Sequence, residues 1–244
     1  RSIMKNSYIG ISLIILIFGI IFIPRIVEKV QNNDVVESDR LNVQKKKTKD
    51  PDKVGYIEQY GEKKKVPPFK LINQEGDTIT NEDFLGKVYV VEFFFTTCPD
   101  ICPIMNENLN QIKEEFDDEK DFGIASITID PAHDTPEVLK SYAEKNEIED
   151  PRWHFLTGNR DTIYEMANTG FGLHAAEDQT NPGSFAHSGL FALIDKEGYV
   201  RSRTDRFGNP IIYYRGSIET GKSITEGEET PQIDILIEDI HNLL

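Results

Sequence analysis

The chain is poor in cysteine and, over most of its length, in positive charge. Its only two cysteines, Cys98 and Cys102, stand in the stretch TTCPDICP at 96–103 of a 244-residue sequence. Residues 66–244 carry 14 Lys and Arg against 34 Asp and Glu, a net −20, whereas residues 1–65 carry 13 against 8, a net +5. So acidic a domain excludes nucleic acid as a partner, because phosphate neutralisation needs clustered Lys and Arg. Also absent are a G-x-x-x-x-G-K phosphate loop, an H-E-x-x-H helix, a serine-centred triad signature and any internal repeat. No catalytic residue is assigned on these grounds, and the chain is not expected to be an enzyme of a conventional kind. Its 38% hydrophobic content suffices, at this length, for one buried domain with appendages.

One segment lacks charge altogether. Nineteen residues between Lys5 and Arg25, including YIGISLIILIFGIIFI, carry none. As a helix rising about 1.5 Å per residue they span roughly 28 Å, close to the roughly 30 Å hydrocarbon core of a bilayer. The run is longer than the apolar core of a cleaved signal, FIPR rather than small residues ends it, and no lipid-accepting cysteine follows. The expected organisation is a stub over 1–7, an uncleaved transmembrane signal anchor over 8–27, a flexible polar tether over 28–65 and a folded domain over 66–244. Arg1 and Lys5 on one side balance Arg25 and Lys29 on the other, so orientation rests on the usual export arrangement of a short stub before a long acidic domain. A single-pass protein of the inner (cytoplasmic) membrane is expected, with its domain on the extracytoplasmic, periplasmic side. Disulfides persist there, so two free thiols would need a thiol reductant.

Within the domain, VPPFKLINQEGDTIT reads as a hairpin about a Gly-centred turn. The β-branched and aromatic run KVYVVEFFF, 87–95, predicts a central strand buried on both faces. After it, Ile101, Met105, Leu109, Ile112 and Phe116 recur at helical spacing, with Asp100 as candidate N-cap and Pro103 in the first turn. FGIASITID is a second buried strand, and Thr135-Pro136 announces a second helix. RWHFLTG predicts a strand, NRDTIYEMANTGFG a short helix with a Gly stop, SGLFALIDKEGYVRSRT two strands, and PQIDILIEDIHNLL a closing amphipathic helix. The order βαβα then ββα is that of an α/β, thioredoxin-like fold with an added N-terminal β-hairpin, preceded by the transmembrane helix. Residues 205–230 show no apolar period and read as a loop or insertion.

Cys98 then falls in a strand-to-helix loop and Cys102 in the helix's opening turn. A bridge between them would close five residues and stabilise by only about 2 kcal/mol before strain, a poor structural staple. A helix N-terminus favours thiolate over thiol, so the pair reads as reactive. Three residues intervene instead of the two of a C-x-x-C redox motif. Four-residue separation near a helix start brings both sulfurs within reach of each other or of one ion. A metal site needs a third ligand, and the candidates are the five histidines. His241 falls on a helix's solvent side, His154 in a buried strand and His174 after a Gly-rich stretch. His133 lies in a loop at the carboxyl end of the second buried strand; His187 immediately precedes a strong strand, where a loop can overhang the end of the central one, and the pattern ranks it first without settling the choice. Two thiolates with one imidazole suit Cu(I) and also hold Cu(II), whereas zinc would ask for a fourth ligand. Met105 is a soft donor at a core position, and Asp130 and Asp134 read as loop-shaping residues.

The blocks PFKLINQEGDTIT, DFLGKVYVVEFFFTTCPDICPIM, SITIDPAHDTPEVLKSYAEK, WHFLTG and HSGLFALIDKEGYVR, in this order, resemble the Sco (SenC) family of membrane-anchored copper proteins. The resemblance implies a thioredoxin-like fold and copper held by Cys98, Cys102 and His187. It further implies a metallochaperone whose partner is the copper-site subunit of cytochrome c oxidase, to whose binuclear site copper passes. An alternative uses Cys98 and Cys102 alone, as a redox disulfide in a thiol-disulfide oxidoreductase that reduces the oxidase's cysteines; copper sensing is a third. Two departures stand out: Ala186 where many relatives carry an acidic residue, and a longer segment between Asp205 and Thr230.

Overall fold

Every residue of Val88–Phe94 is buried, a pattern that only a sheet covered on both faces can accommodate. The computed structural model describes residues 12, 16–20, 54–177, 185–204, 211–220 and 231–244. In chain order the strands are β1 (Gly55–Tyr56), β2 (Glu58–Gln59), β3 (Glu62–Lys63), β4 (Lys70–Asn73), β5 (Thr78–Thr80), β6 (Val88–Phe94), β7 (Phe122–Thr128), β8 (Trp153–Thr157), β9 (Ala175–Glu177), β10 (Phe185–His187), β11 (Leu190–Ile194), β12 (Val200–Ser202) and β13 (Tyr214–Arg215). The helices are α1 (Ile101–Glu115), α2 (Pro136–Lys145), α3 (Arg160–Glu165), which continues into a π-helical turn at Met166–Phe171, and α4 (Ile233–His241).

The main sheet runs β1-β12-β11-β6-β7-β8-β4-β5, with β13 added beside β11. Strands β6, β7 and β8 are parallel, and their neighbours β11 and β4 antiparallel. Parallel pairs need crossover connections, which α1 and α2 supply. Side chains of β6 alternate as a period of two demands. Val88, Val90 and Phe94 pack with Met105 and Leu109 of α1, Leu139 of α2 and Leu236 of α4. Tyr89, Val91 and Phe93 pack on the other face with Phe84, Ile163, Met166 and Phe171. The sheet with helices on both faces is the thioredoxin-like arrangement expected from the element order.

Local chemistry explains most boundaries. Gly76, at φ 84°, makes the β4–β5 turn, a conformation that favours glycine. Thr135 accepts from the Val138 amide to cap α2, with Pro136 in its first turn. Asp100 occupies the N-cap position of α1 but makes no side-chain cap. A cap bonds the amide of N2 or N3, and Pro103 at N3 has none.

Two regions depart from the sequence expectations. Residues 54–65, assigned above to the tether, are structured against the sheet edge: Val54 is buried, β1 pairs with β12, Arg201 donates to the carbonyls of Val54 and Gly55, and β2 and β3 form a separate two-stranded hairpin. Their strands are two residues long and held by backbone bonds and by Lys63 and Arg201 over the Tyr56 ring, none of which leaves an apolar period. Within the stretch read as a loop, Tyr214–Arg215 is a strand; the Tyr214 ring is fully buried and its hydroxyl donates to Asp239 Oδ2 at 2.5 Å. The chain divides into two units, Arg1–Lys47 and Thr48–Leu244. Residues 12 and 16–20, within the expected anchor, are helical; the stub, the rest of the anchor and tether residues 28–53 lie outside the described residues. Among the described residues no helix is long and apolar enough to cross a membrane.

Asp239, on α4 and wholly inaccessible, also accepts from Arg203 Nε at 2.7 Å. Removing Asp239 takes away the buried carboxylate of this pair, while Arg203 keeps Glu238 Oε2 at 3.0 Å. Asp239→Ala is therefore expected to lower unfolding stability by roughly 2–3 kcal/mol in urea titration, below the range for a fully uncompensated buried charge, against about 1 kcal/mol for Tyr214→Phe; a loss below about 1 kcal/mol for Asp239→Ala would show that the pair does not anchor α4.

Candidate metal centre

The carboxyl end of the central strand delivers the cysteines. Beyond Phe94 the chain turns, with the Cys98 amide donating to the Phe95 carbonyl at 3.2 Å, and α1 begins three residues later. Cys102 lies in the first turn of α1, 1% exposed, and Cys98 is half-buried above it; neither is in a disulfide. His187 arrives from the other side of the sequence, at the end of the β9–β10 hairpin, where it pairs with Ala175. Asn168 fixes that hairpin by bonding both the Ala175 amide and carbonyl. Phe95 meets the His187 ring edge-on at 5.9 Å. His187 Nε2 lies 3.2 Å from Cys102 Sγ, and one ligand atom each from Cys98, Cys102 and His187 fall within 4.8 Å of one another.

The two thiols are not equivalent. The Cys102 thiol donates to Cys98 and holds it well below the usual thiol range; burial opposes this, while His187 and the amides of Asp100 and Cys102 reinforce it. The Cys98 sulfur thus takes the helix-terminal amides that Asp100 does not cap. Cys102 is pushed up, first by donating to Cys98 and then by burial. Within the pair the bias runs toward thiolate on Cys98 and toward thiol on Cys102. A carboxylic acid lies deeper on the same side: Glu92, fully buried in β6, is pushed up to about 7 by burial, although Ser126 Oγ donates to its Oε1 at 2.6 Å. The sequence reading passed over Glu92, although a single acidic residue inside VYVVEFFF is the signal that could have found it.

The other candidates fall elsewhere. His133 bonds Asp134 at 2.8 Å, and with Asp130 they form a separate group of ligand-type side chains. Asp134 is wholly buried and accepts from the Thr96 amide, Thr96 Oγ1 and Thr128 Oγ1, so it ties the loop after β7 to the end of β6. His154 packs edge-on against Phe84 at 5.6 Å, His174 is exposed, and His241 is exposed beside Glu115. Met105 is fully buried in the core.

A thioredoxin-like sheet with two cysteines and a histidine converging at the end of its central strand defines a thiol-based metal or redox domain. The chain belongs to the SCO1/SenC family, whose model matches residues 57–217. It is 34% identical over 149 residues to the SCO2-like protein RP587 of Rickettsia prowazekii, covering 59% of this chain and 71% of that protein. Among solved structures it is similar to BsSco, a member of the Sco family of cytochrome c oxidase assembly proteins in which a disulfide switch is identified, at 26% identity and TM-score 0.58, covering 74% of this chain and 93% of that one. Copper-bound yeast Sco1 shares the fold at 24% identity and TM-score 0.53, covering 74% and 91%.

The asymmetry of the thiols has a kinetic signature. Iodoacetamide is expected to modify Cys98 at a rate nearly flat between about pH 6 and pH 8, leaving Cys102 unmodified, because a depressed thiol is already thiolate there. A rate climbing roughly tenfold per pH unit across that window would place Cys98 at an ordinary thiol value.

Proposed function

We propose that the protein is a membrane-anchored copper metallochaperone that binds one copper ion through Cys98, Cys102 and His187 and delivers it to the binuclear copper site of cytochrome c oxidase. The observation that carries this reading is the convergence of two sulfurs and one imidazole nitrogen within 4.8 Å. Among the described residues no fourth His, Cys, Asp or Glu joins that set. A soft three-donor site fits Cu(I) and suits zinc poorly, since structural zinc asks for four ligands. Membership of the SCO1/SenC family and the fold shared with copper-bound yeast Sco1 support copper as the cargo.

The residues divide the task. Cys98, already thiolate, makes the first contact; Cys102 gives up its proton as it becomes the second ligand; His187 offers Nε2 from a separate hairpin. Because Cys102 rides on α1, Cys98 on the loop before it and the imidazole on β10, motion of the hairpin alone opens the site to an incoming ligand. Transfer to the oxidase's copper-site subunit then proceeds by ligand exchange. The anchor over 8–27 and the tether hold the domain on the periplasmic side of the inner membrane, where a thiol reductant keeps Cys98 and Cys102 reduced.

A second reading has one observation in its favour: a thiolate beside a thiol is poised for thiol-disulfide exchange, and BsSco has a disulfide switch. In that reading Cys98 and Cys102 reduce the oxidase's cysteines and His187 is dispensable. Titration of the reduced protein with Cu(I) against a chromogenic chelator separates the two. One equivalent is expected to bind, with affinity falling by more than about 10-fold in His187→Ala and binding lost in Cys98→Ser; unchanged affinity in His187→Ala would reject this ligand set.

A further inference from the structure

Cys102 and His187 are 85 positions apart in sequence, and the segment 211–220 joins the elements that carry them. From β13 the chain runs on across the start of α1. Asn108, six residues after Cys102 on that helix, is 2% exposed and donates from Nδ2 to the carbonyls of Gly216 at 2.8 Å and Ile218 at 2.9 Å; Thr220 Oγ1 donates back to its Oδ1 at 3.0 Å. All three bonds go to the strap. The strap in turn holds the residue two beyond His187: the amides of Gly216 and Ser217 both donate to the Gly189 carbonyl, at 2.9 and 3.2 Å.

Gly189 is where the strap, the histidine loop and α1 meet. It is buried, with φ +63°, and a Cβ there would stand 2.8 Å from Ser217 Oγ and 3.2 Å from Ile101 Cδ1. The loop therefore lies directly against the first residue of α1, next to Cys102, with no room for a side chain between them. The strap is itself fixed at its root: Tyr214 pairs with Phe191, the Arg215 amide donates to Gln232 Oε1, and a Cβ on Gly216 would meet Phe191 Cζ at 2.4 Å. An asparagine that merely closed a helix surface would not need both ends of its amide spent on one segment.

We propose that Asn108 is a positioning residue that acts through the 211–220 strap to hold His187 at ligand distance from Cys102. It touches no donor atom; it fixes the strap to the helix that carries Cys102, and the strap fixes the loop of the imidazole. This inference rests on the ligand set proposed above. Loosening the strap frees the Gly189 carbonyl and lets the imidazole drift while leaving both cysteines in place.

A double-mutant cycle on the full chain tests this, with Cu(I) affinity read by chelator competition and Cu(II)-thiolate absorption read alongside. Asn108→Ala is expected to weaken copper binding by roughly 10-fold, the scale of an outer-shell partner. In a His187→Ala background the same substitution should change affinity by less than about 2-fold, and the absorption of the single variant should move toward that of His187→Ala. Thr220→Val, which removes one of the three bonds, should reproduce the pattern at smaller amplitude and serves if Asn108→Ala does not fold. Equal losses in both backgrounds, or unchanged affinity with only lowered stability, would overturn the proposal. An affinity insensitive to His187→Ala itself would instead reject the ligand set.

Discussion

On the proposed copper reading, the structure depends on one constraint: soft donor atoms from two distant parts of the chain must be held within ligand distance, in an orientation set before any ion arrives. Cys102 Sγ and His187 Nε2 meet at 3.2 Å. Neither the helix nor the hairpin that carries them can impose that separation alone. The parallel core β6–β7–β8 fixes where α1 begins, β11 pairs beside β6 and brings the histidine loop to the same end of the sheet, and Asn168, Phe95 and the strap close the remaining freedom. The orientation cost that a flexible site would meet on binding is largely met during folding.

The same geometry sets the charge. A sulfur at the mouth of a helix receives the amides that an aspartate N-cap would otherwise take, and Pro103 removes one of the donors Asp100 would need. Cys98 is therefore the sulfur biased toward the charged form, and Cys102 the one biased toward keeping its proton. Glu92, buried beneath with its pKa pushed up to about 7, adds no full charge at neutral pH and so does not strongly oppose the loss of that proton.

Much of this was legible in the sequence because it is written locally. The β-branched run of β6, the helical spacing of Met105, Leu109 and Ile112, and the Thr135-Pro136 start of α2 each follow from neighbouring residues. Cys98 and Cys102 were found the same way, by position at a helix start. His187 was not: the pattern alone ranked it as a plausible third ligand, and only the family resemblance assigned it, because the contact that distinguishes it spans 85 positions. The edge strand at Gly55–Tyr56, the strand at Tyr214–Arg215 and the burial of Asp239 escaped for a similar reason. They are held by partners far along the chain, among them Arg201 and Arg203, and carry no periodicity of their own.

X-ray absorption at the copper edge of the Cu(I)-loaded protein bears most directly on the central claim. Two sulfur scatterers and one imidazole nitrogen in the first shell, with the nitrogen lost in His187→Ala, is the predicted result. A shell of sulfur alone, or one indifferent to His187, would contradict it.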